Sequence, residues 1–186
     1  TQQTELQIAA LQALKTRAVL VEDMELIALM VDQITTGNTT LARNAAAALG
    51  AVGGADAVNI LMDLLQQYEG QLAMLATQAG AEANFKHVEQ QRSMTVRALS
   101  LMRERAIAAM FHRCAEDALP WLDSYQEVFL KIGDPARDML IAELTSPFFY
   151  RRRLAARLLN HLNWTPDNSE TAAAFVIARE RWEEVA

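Results

Sequence analysis

An alanine-rich stretch that ends in a glycine turn limits most strongly what this chain can fold into. It runs Arg43-Asn-Ala-Ala-Ala-Ala-Leu-Gly-Ala-Val-Gly-Gly54, and the aliphatic pairs Ile60-Leu61 and Leu64-Leu65 follow at helical spacing. Alanine has the highest helix propensity, and its small side chain lets two helices approach closely. A helical hairpin of this size cannot bury its apolar face alone. The pattern therefore predicts a stack of helical hairpins rather than a compact enzyme core.

The same pattern returns twice in the later part of the chain. With an offset of 80 residues the turn at Val52-Gly53 aligns with Ile132-Gly133, and with an offset of 110 Leu49 aligns with Leu159. Further apolar positions agree under these offsets: Ile60, Leu61 and Leu64 with Leu140, Ile141 and Leu144, and Ala45-Ala46 with Ala155-Ala156. Agreement of several positions under one offset indicates internal repeats.

We expect one all-α domain over residues 1–186, built as a superhelix of repeated hairpins. Its predicted parts are an N-terminal capping hairpin (1–37), a repeat (39–67), a long helical insertion (68–113) and two further repeats (124–184). Within the insertion, apolar residues from Phe85 to Met110 recur at a spacing close to a heptad, which Arg92 interrupts. This spacing predicts one long helix, either alone or paired with an extension of the preceding helix. Such an insertion would project from the stack or pack along it.

Composition limits the kind of function. Acidic residues outnumber basic ones by 23 to 17, and the net charge of −6 argues against a nucleic-acid partner, because such binding needs concentrated Lys and Arg. The single cysteine, Cys114, excludes an internal disulfide and favours a reducing compartment. No uncharged apolar run approaches the length of about 18 residues that a membrane helix needs. We therefore predict a cytoplasmic protein without a membrane span.

Three segments resemble HEAT-like repeats, especially the short bacterial type that also occurs in the lyases that attach bilins to phycobiliproteins. These segments are residues 43–53, 131–144 and 151–164. The resemblance implies a right-handed α-solenoid whose second helices line a concave face that holds a partner. We expect a non-catalytic protein-interaction or scaffold module. The alternatives are a chromophore lyase of the bilin-lyase type and a DNA glycosylase of the HEAT fold, which the acidic composition disfavours.

The polar face of the second helices supplies the candidate partner-binding residues. In the helix near residues 58–67 the aliphatic side chains form the buried stripe, so the polar side chains face outward. The outward positions are Asn59, Asp63, Gln66 and Gln67, with Asp138 and Glu143 at the equivalent positions of a later repeat. The resulting face is mildly acidic and suits a basic or amphipathic helix of another protein.

The run Arg151-Arg152-Arg153 is the sharpest charge feature, and it directly follows the aromatic residues Phe148-Phe149-Tyr150. Arginines on the first helix of a repeat often pair with acids in adjacent repeats, and this pairing is one interpretation. Contact of Arg151 and Arg152 with an acidic protein partner is a second. Arginine beside aromatic residues also suits phosphate and nucleobase contacts, so nucleic acid is a third alternative.

The sequence offers no complete catalytic or metal-binding set, and we expect neither a cofactor nor a metal. His112 and Glu116 are spaced for one helix face, but two ligands do not make a metal site. Cys114 has no neighbour that would activate it as a nucleophile, so we expect an inert thiol. The last helix is apolar over more than one face at residues 174–182. This predicts self-association or contact with further repeats.

Overall fold

The computed structural model describes residues 2–16, 22–36, 38–116, 122–167 and 169–183, without the side chains of 116, 169 and 180–183. These residues form ten α-helices and no β-strand, so the predicted all-α class is confirmed. In chain order the helices are α1 (Gln2–Lys15), α2 (Met24–Thr35), α3 (Thr39–Val52), α4 (Ala55–Leu75), α5 (Glu82–Leu101), α6 (Glu104–Glu116), α7 (Asp123–Ile132), α8 (Asp134–Glu143), α9 (Phe149–His161) and α10 (Ser169–Glu183). Among the described helices, none is long and apolar enough to cross a membrane.

The first eight helices lie in two rows. Helices α1, α3, α5 and α7 pack against one another in series and form the first row, while α2, α4, α6 and α8 contact one another in series and form the second row. Helix α9 packs between α8 and α10. One continuous cluster of buried apolar side chains extends from Leu11 in α1 to Ala178 in α10. Every described helix therefore contributes to this cluster.

Helix α3 holds the first row together through its small residues. Asn38 caps its N-terminus, because the Asn38 side-chain oxygen accepts hydrogen bonds from the backbone N–H groups of Thr40 and Leu41, both at 3.1 Å. A Cβ atom added at Gly50 would overlap the Cβ atom of Leu101 and lie 3.3 Å from the Leu101 carbonyl carbon. Only glycine therefore lets α3 and α5 approach this closely.

The repeat register predicted from the sequence agrees with the helix boundaries. Helix α3 begins at Thr39 and α9 at Phe149, which is the predicted offset of 110. The helix pairs α3–α4 and α7–α8 both turn at a glycine, Gly53 and Gly133, as the offset of 80 predicts. The alanines and leucine that align under the larger offset are all buried: Ala45, Ala46, Leu49, Ala155, Ala156 and Leu159.

The prediction of one long helix from Phe85 to Met110 is wrong. Helix α4 continues beyond the predicted repeat to Leu75, and two separate helices, α5 and α6, follow it. They meet at Arg103, whose left-handed backbone (φ 52°) cannot continue a helix. Helix α5 packs against α3, α4 and α7, so the segment predicted as an insertion is a central part of both rows. Helices α1 and α2, predicted as a capping hairpin, both pack against α3.

Arg92 joins three helices through its guanidinium group. This group donates to Glu89 on its own helix at 2.9 and 2.8 Å, and to Glu127 of α7 at 3.0 Å. Glu69 of α4 lies 3.8 Å away and accepts a hydrogen bond from the hydroxyl of buried Ser124. The hydrogen bonds to Glu89 outweigh the effect of burial and raise the pKa of Arg92 above its usual value. The residue that interrupts the apolar pattern therefore links α4, α5 and α7.

Candidate interaction surface

The exposed acidic side chains of the helix stack are concentrated on the second row. Seven acidic side chains on its four helices are exposed: Glu25, Asp32, Asp56, Asp63, Glu104, Asp134 and Asp138. No described Lys or Arg on these helices is fully exposed, because Arg105, Arg113 and Arg137 are all half-buried. Clustered charge of one sign attracts partners of the opposite sign. This face therefore favours a basic ligand.

A groove of about 660 Å³ opens between α4 and α6 on this row. Its lining includes the small residues Ala55, Ala108 and Ala109, with Asn59 and Asp63 on the α4 side. The Asp63 side chain is 65% exposed, so its carboxylate is available to a ligand at the groove edge. The groove therefore combines small apolar side chains with one exposed carboxylate, Asp63, at its edge, where Arg113 pairs with it.

Two arginines of α6 fix the walls of the groove. Arg105 donates to the carbonyl oxygens of Gly53 and Gly50, both at 2.6 Å, at the C-terminus of α3. This contact satisfies carbonyls that have no partner within α3 and places a cation at the negative end of the helix. Arg113 donates to the Asn59 carbonyl and to a carboxylate oxygen of Asp63, both at 3.0 Å. Arg105 therefore holds α6 against the α3–α4 turn, and Arg113 holds it against α4.

The predicted partner-binding residues fall into two groups. Asn59 and Asp63 line the groove together, while Gln66 and Gln67 are exposed further along α4, and Asp138 is exposed on α8. The sequence predicted that Glu143 faces outward, but in the structure it does not. Its side chain is 18% exposed and accepts two hydrogen bonds from Arg151, at 2.9 and 2.5 Å. Glu143 turns inward because α9 packs against α8 and brings a cation to it.

Arg151 and Arg152 are held by partners within the chain. The guanidinium carbon of Arg151 also lies 5.3 Å from the ring centre of Phe111, a cation–π contact with α6. Arg152 donates to the carbonyl oxygens of Ser146 at 2.6 Å and Pro147 at 3.0 Å. Of the three interpretations of this run, intramolecular pairing is the one these contacts support.

Sequence reasoning missed the α6 side of the groove. Ala108, Ala109, His112 and Arg113 lie in the segment predicted as an insertion, and their contacts with α4 join residues about 50 positions apart in the chain. Their helical spacing could have shown that they share one face. That this face lies opposite Asn59 and Asp63 depends on tertiary packing alone.

The other candidate sites are less complete. Within the described residues, no three His, Cys, Asp or Glu side chains come close enough to hold a metal ion; the Glu116 side chain is not among them. Cys114, the single cysteine of the chain, is half-buried and forms no intramolecular disulfide. On α10, Val176 and Ile177 are 48% and 55% exposed. Self-association through this helix stays a prediction.

Comparison of the chain with models of known protein families, with curated proteins and with solved structures finds no significant match.

Proposed function

We propose that this protein is a non-catalytic interaction module of HEAT-like helical repeats, which holds a basic amphipathic helix of a partner protein against its second row. The proposal rests on one observation: the acidic side chains of α2, α4, α6 and α8 are exposed on one row, and a groove lies between α4 and α6 at its centre. Two rows of helices and two internal offsets support the HEAT-like description. A row of similar helices offers an extended surface suited to an elongated ligand.

The chemistry of the groove favours a helix as the ligand. Ala55, Ala108 and Ala109 leave space for large apolar side chains, which an amphipathic helix presents at positions i, i+3 or i+4, and i+7. Lysines or arginines beside those apolar residues would reach Asp63 at the groove edge. They would also reach Asp56, which lies about one helical turn before Asn59 on α4. Because the Asp63–Arg113 pair is partly exposed, we expect it to rearrange at small energetic cost, on the order of 1 kcal/mol or less.

Defined peptides test this proposal without knowledge of the natural partner. The probe is a labelled peptide of about 16 residues, made of Lys and Leu with one apolar helical face, a length at which isolated helices become stable. One control peptide has the same composition in a scrambled order. A second control peptide has the same pattern with Glu in place of Lys. Fluorescence anisotropy should show binding of the amphipathic basic peptide alone.

Two double variants locate the binding. The double variant Asp63→Lys with Asp138→Lys should lower the affinity for the basic peptide at least tenfold, because both carboxylates lie on the second row. Glu82→Lys with Asp123→Lys is the matched control: it changes the net charge equally, but its residues lie on the first row. Equal effects of both pairs would refute the proposal. An absorbance shift of a linear tetrapyrrole in the presence of the protein, with no peptide binding, would favour the chromophore-lyase alternative instead.

A further inference from the structure

A second groove, next to the first row, collects three cationic side chains. It lies between the C-terminal half of α5 and the α7–α8 junction, and it encloses about 470 Å³. Arg97, Arg103 and Lys131 line it, and all three are exposed. Apolar side chains make up much of the remaining lining: Met94, Leu101, Ile132 and Pro135.

The guanidinium groups of Arg97 and Arg103 are available to a ligand. Neither makes a hydrogen bond or an ion pair within the described residues. Lys131 lies 3.4 Å from Glu127, but an ammonium group has three donors, so further donors remain. By contrast, Arg92, Arg105 and Arg113 are each held by carboxylate or carbonyl oxygens. The arginines of this groove therefore do not serve to hold helices together.

The backbone at Arg103 supplies a second, independent observation. Within the described part of the chain, the non-glycine residues with positive φ are Arg103 and Asn163, both at 52°. Asparagine adopts this left-handed conformation readily, whereas for arginine it is strained. Strained residues cluster at binding and switch sites. Here the strained backbone places at the groove a cationic side chain whose guanidinium group makes no hydrogen bond or ion pair in the described part of the chain.

We propose that this groove binds an acidic segment of a partner protein, in which carboxylates alternate with apolar side chains. Planar guanidinium groups suit carboxylates, and the apolar lining suits the side chains between them. Nucleic acid fits less well, because the affinity of a protein for nucleic acid grows with the number of phosphates that its cations neutralise. This groove offers three cations, on a chain of net charge −6. The protein would thus present surfaces of opposite charge on its two rows, and this second site does not depend on the first.

A labelled peptide of alternating acidic (Asp, Glu) and apolar (Leu, Phe) residues is the probe. The variant Arg97→Gln with Arg103→Asn should raise the dissociation constant of this peptide at least about tenfold. The reason is that loss of one charge-assisted hydrogen bond raises a dissociation constant by about a factor of ten. The melting temperature of this variant should be equal or higher, because asparagine suits the left-handed backbone at position 103. The matched control is Arg43→Gln with Lys86→Gln, which removes two exposed first-row cations outside this groove and should change the dissociation constant less than about twofold.

Each other outcome would overturn the proposal. Equal weakening by both double variants would show general attraction to the whole protein. Equal binding of a peptide with Asn and Gln in place of the acids would show that charge plays no part. Binding of inorganic phosphate without binding of the peptide would indicate a small-anion site. Tighter binding of duplex DNA than of the peptide would indicate a nucleic-acid surface.

Discussion

Two glycine-to-alanine substitutions should have opposite effects on stability, although both glycines lie inside helices. Alanine is favoured over glycine in a helix by about 0.5–1 kcal/mol. Gly70 in α4 has open space around it, so Gly70→Ala should raise the free energy of unfolding by about that amount. Gly50 in α3 faces Leu101, where a new Cβ would overlap the Leu101 Cβ and press on its backbone.

The cost at Gly50 follows from which atoms would clash. The Leu101 backbone and Cβ belong to α5 and cannot rotate away, so α3 and α5 would have to separate, at a cost of about 2–3 kcal/mol. After the gain in helix propensity, Gly50→Ala should lower the free energy of unfolding by about 1–2 kcal/mol. For a chain of this length each kcal/mol shifts the melting temperature by roughly 2–4 °C.

Thermal and urea unfolding followed by circular dichroism measure both effects. We expect a melting temperature below that of the natural sequence for Gly50→Ala and above it for Gly70→Ala. Stabilisation by both substitutions would show that α3 and α5 do not approach as closely as described, and would refute the packing of the first row.

Two further predictions concern polar groups in the core. Arg92→Met should lower the free energy of unfolding measured in urea by about 2–3 kcal/mol, because Glu89 and Glu127 lose their charge-assisted hydrogen bonds to the guanidinium group. Lys86→Met on the same helix should change this free energy by less than about 0.5 kcal/mol, because Lys86 is exposed. Equal losses would contradict the linking role of Arg92. Burial raises the pKa of Tyr125 to about 12, so the fold favours the neutral phenol and should lose stability as the pH rises from about 10 towards 12. Unfolding in urea across this range should show a smaller loss for Tyr125→Phe, and identical pH profiles would be evidence against that shift.

The sequence predicted the parts of the fold that depend on local pattern. The offsets between α3, α7 and α9 could be found because the same small and aliphatic residues pack at the same helical positions. The break at Arg103 could not be found, because the residues from Met102 to Arg105 include neither glycine nor proline, although the backbone of Arg103 is left-handed. Ser124 and Glu127 have the spacing of a capping box, yet in the structure both contact Arg92.

Only half of the candidate site could be predicted from the sequence, because helical spacing shows which residues share a face but not which helices pack together. Helical spacing alone placed Asn59 and Asp63 on one outward face. The facing side of the groove comes from α6, and only the contacts of Arg105 and Arg113 with the α3–α4 region bring it there. The inward turn of Glu143 likewise depends on Arg151, which reaches it from the next helix.

Site-directed cross-linking can show whether a basic amphipathic helix binds in the groove of the second row. A photoreactive amino acid is placed at Ala108, in the groove of the second row, and in a separate variant at Lys86, which is exposed on the first row. We expect the basic amphipathic peptide to cross-link at position 108 and excess unlabelled peptide to suppress the product. Equal cross-linking at both positions, or cross-linking at position 86 alone, would contradict this expectation.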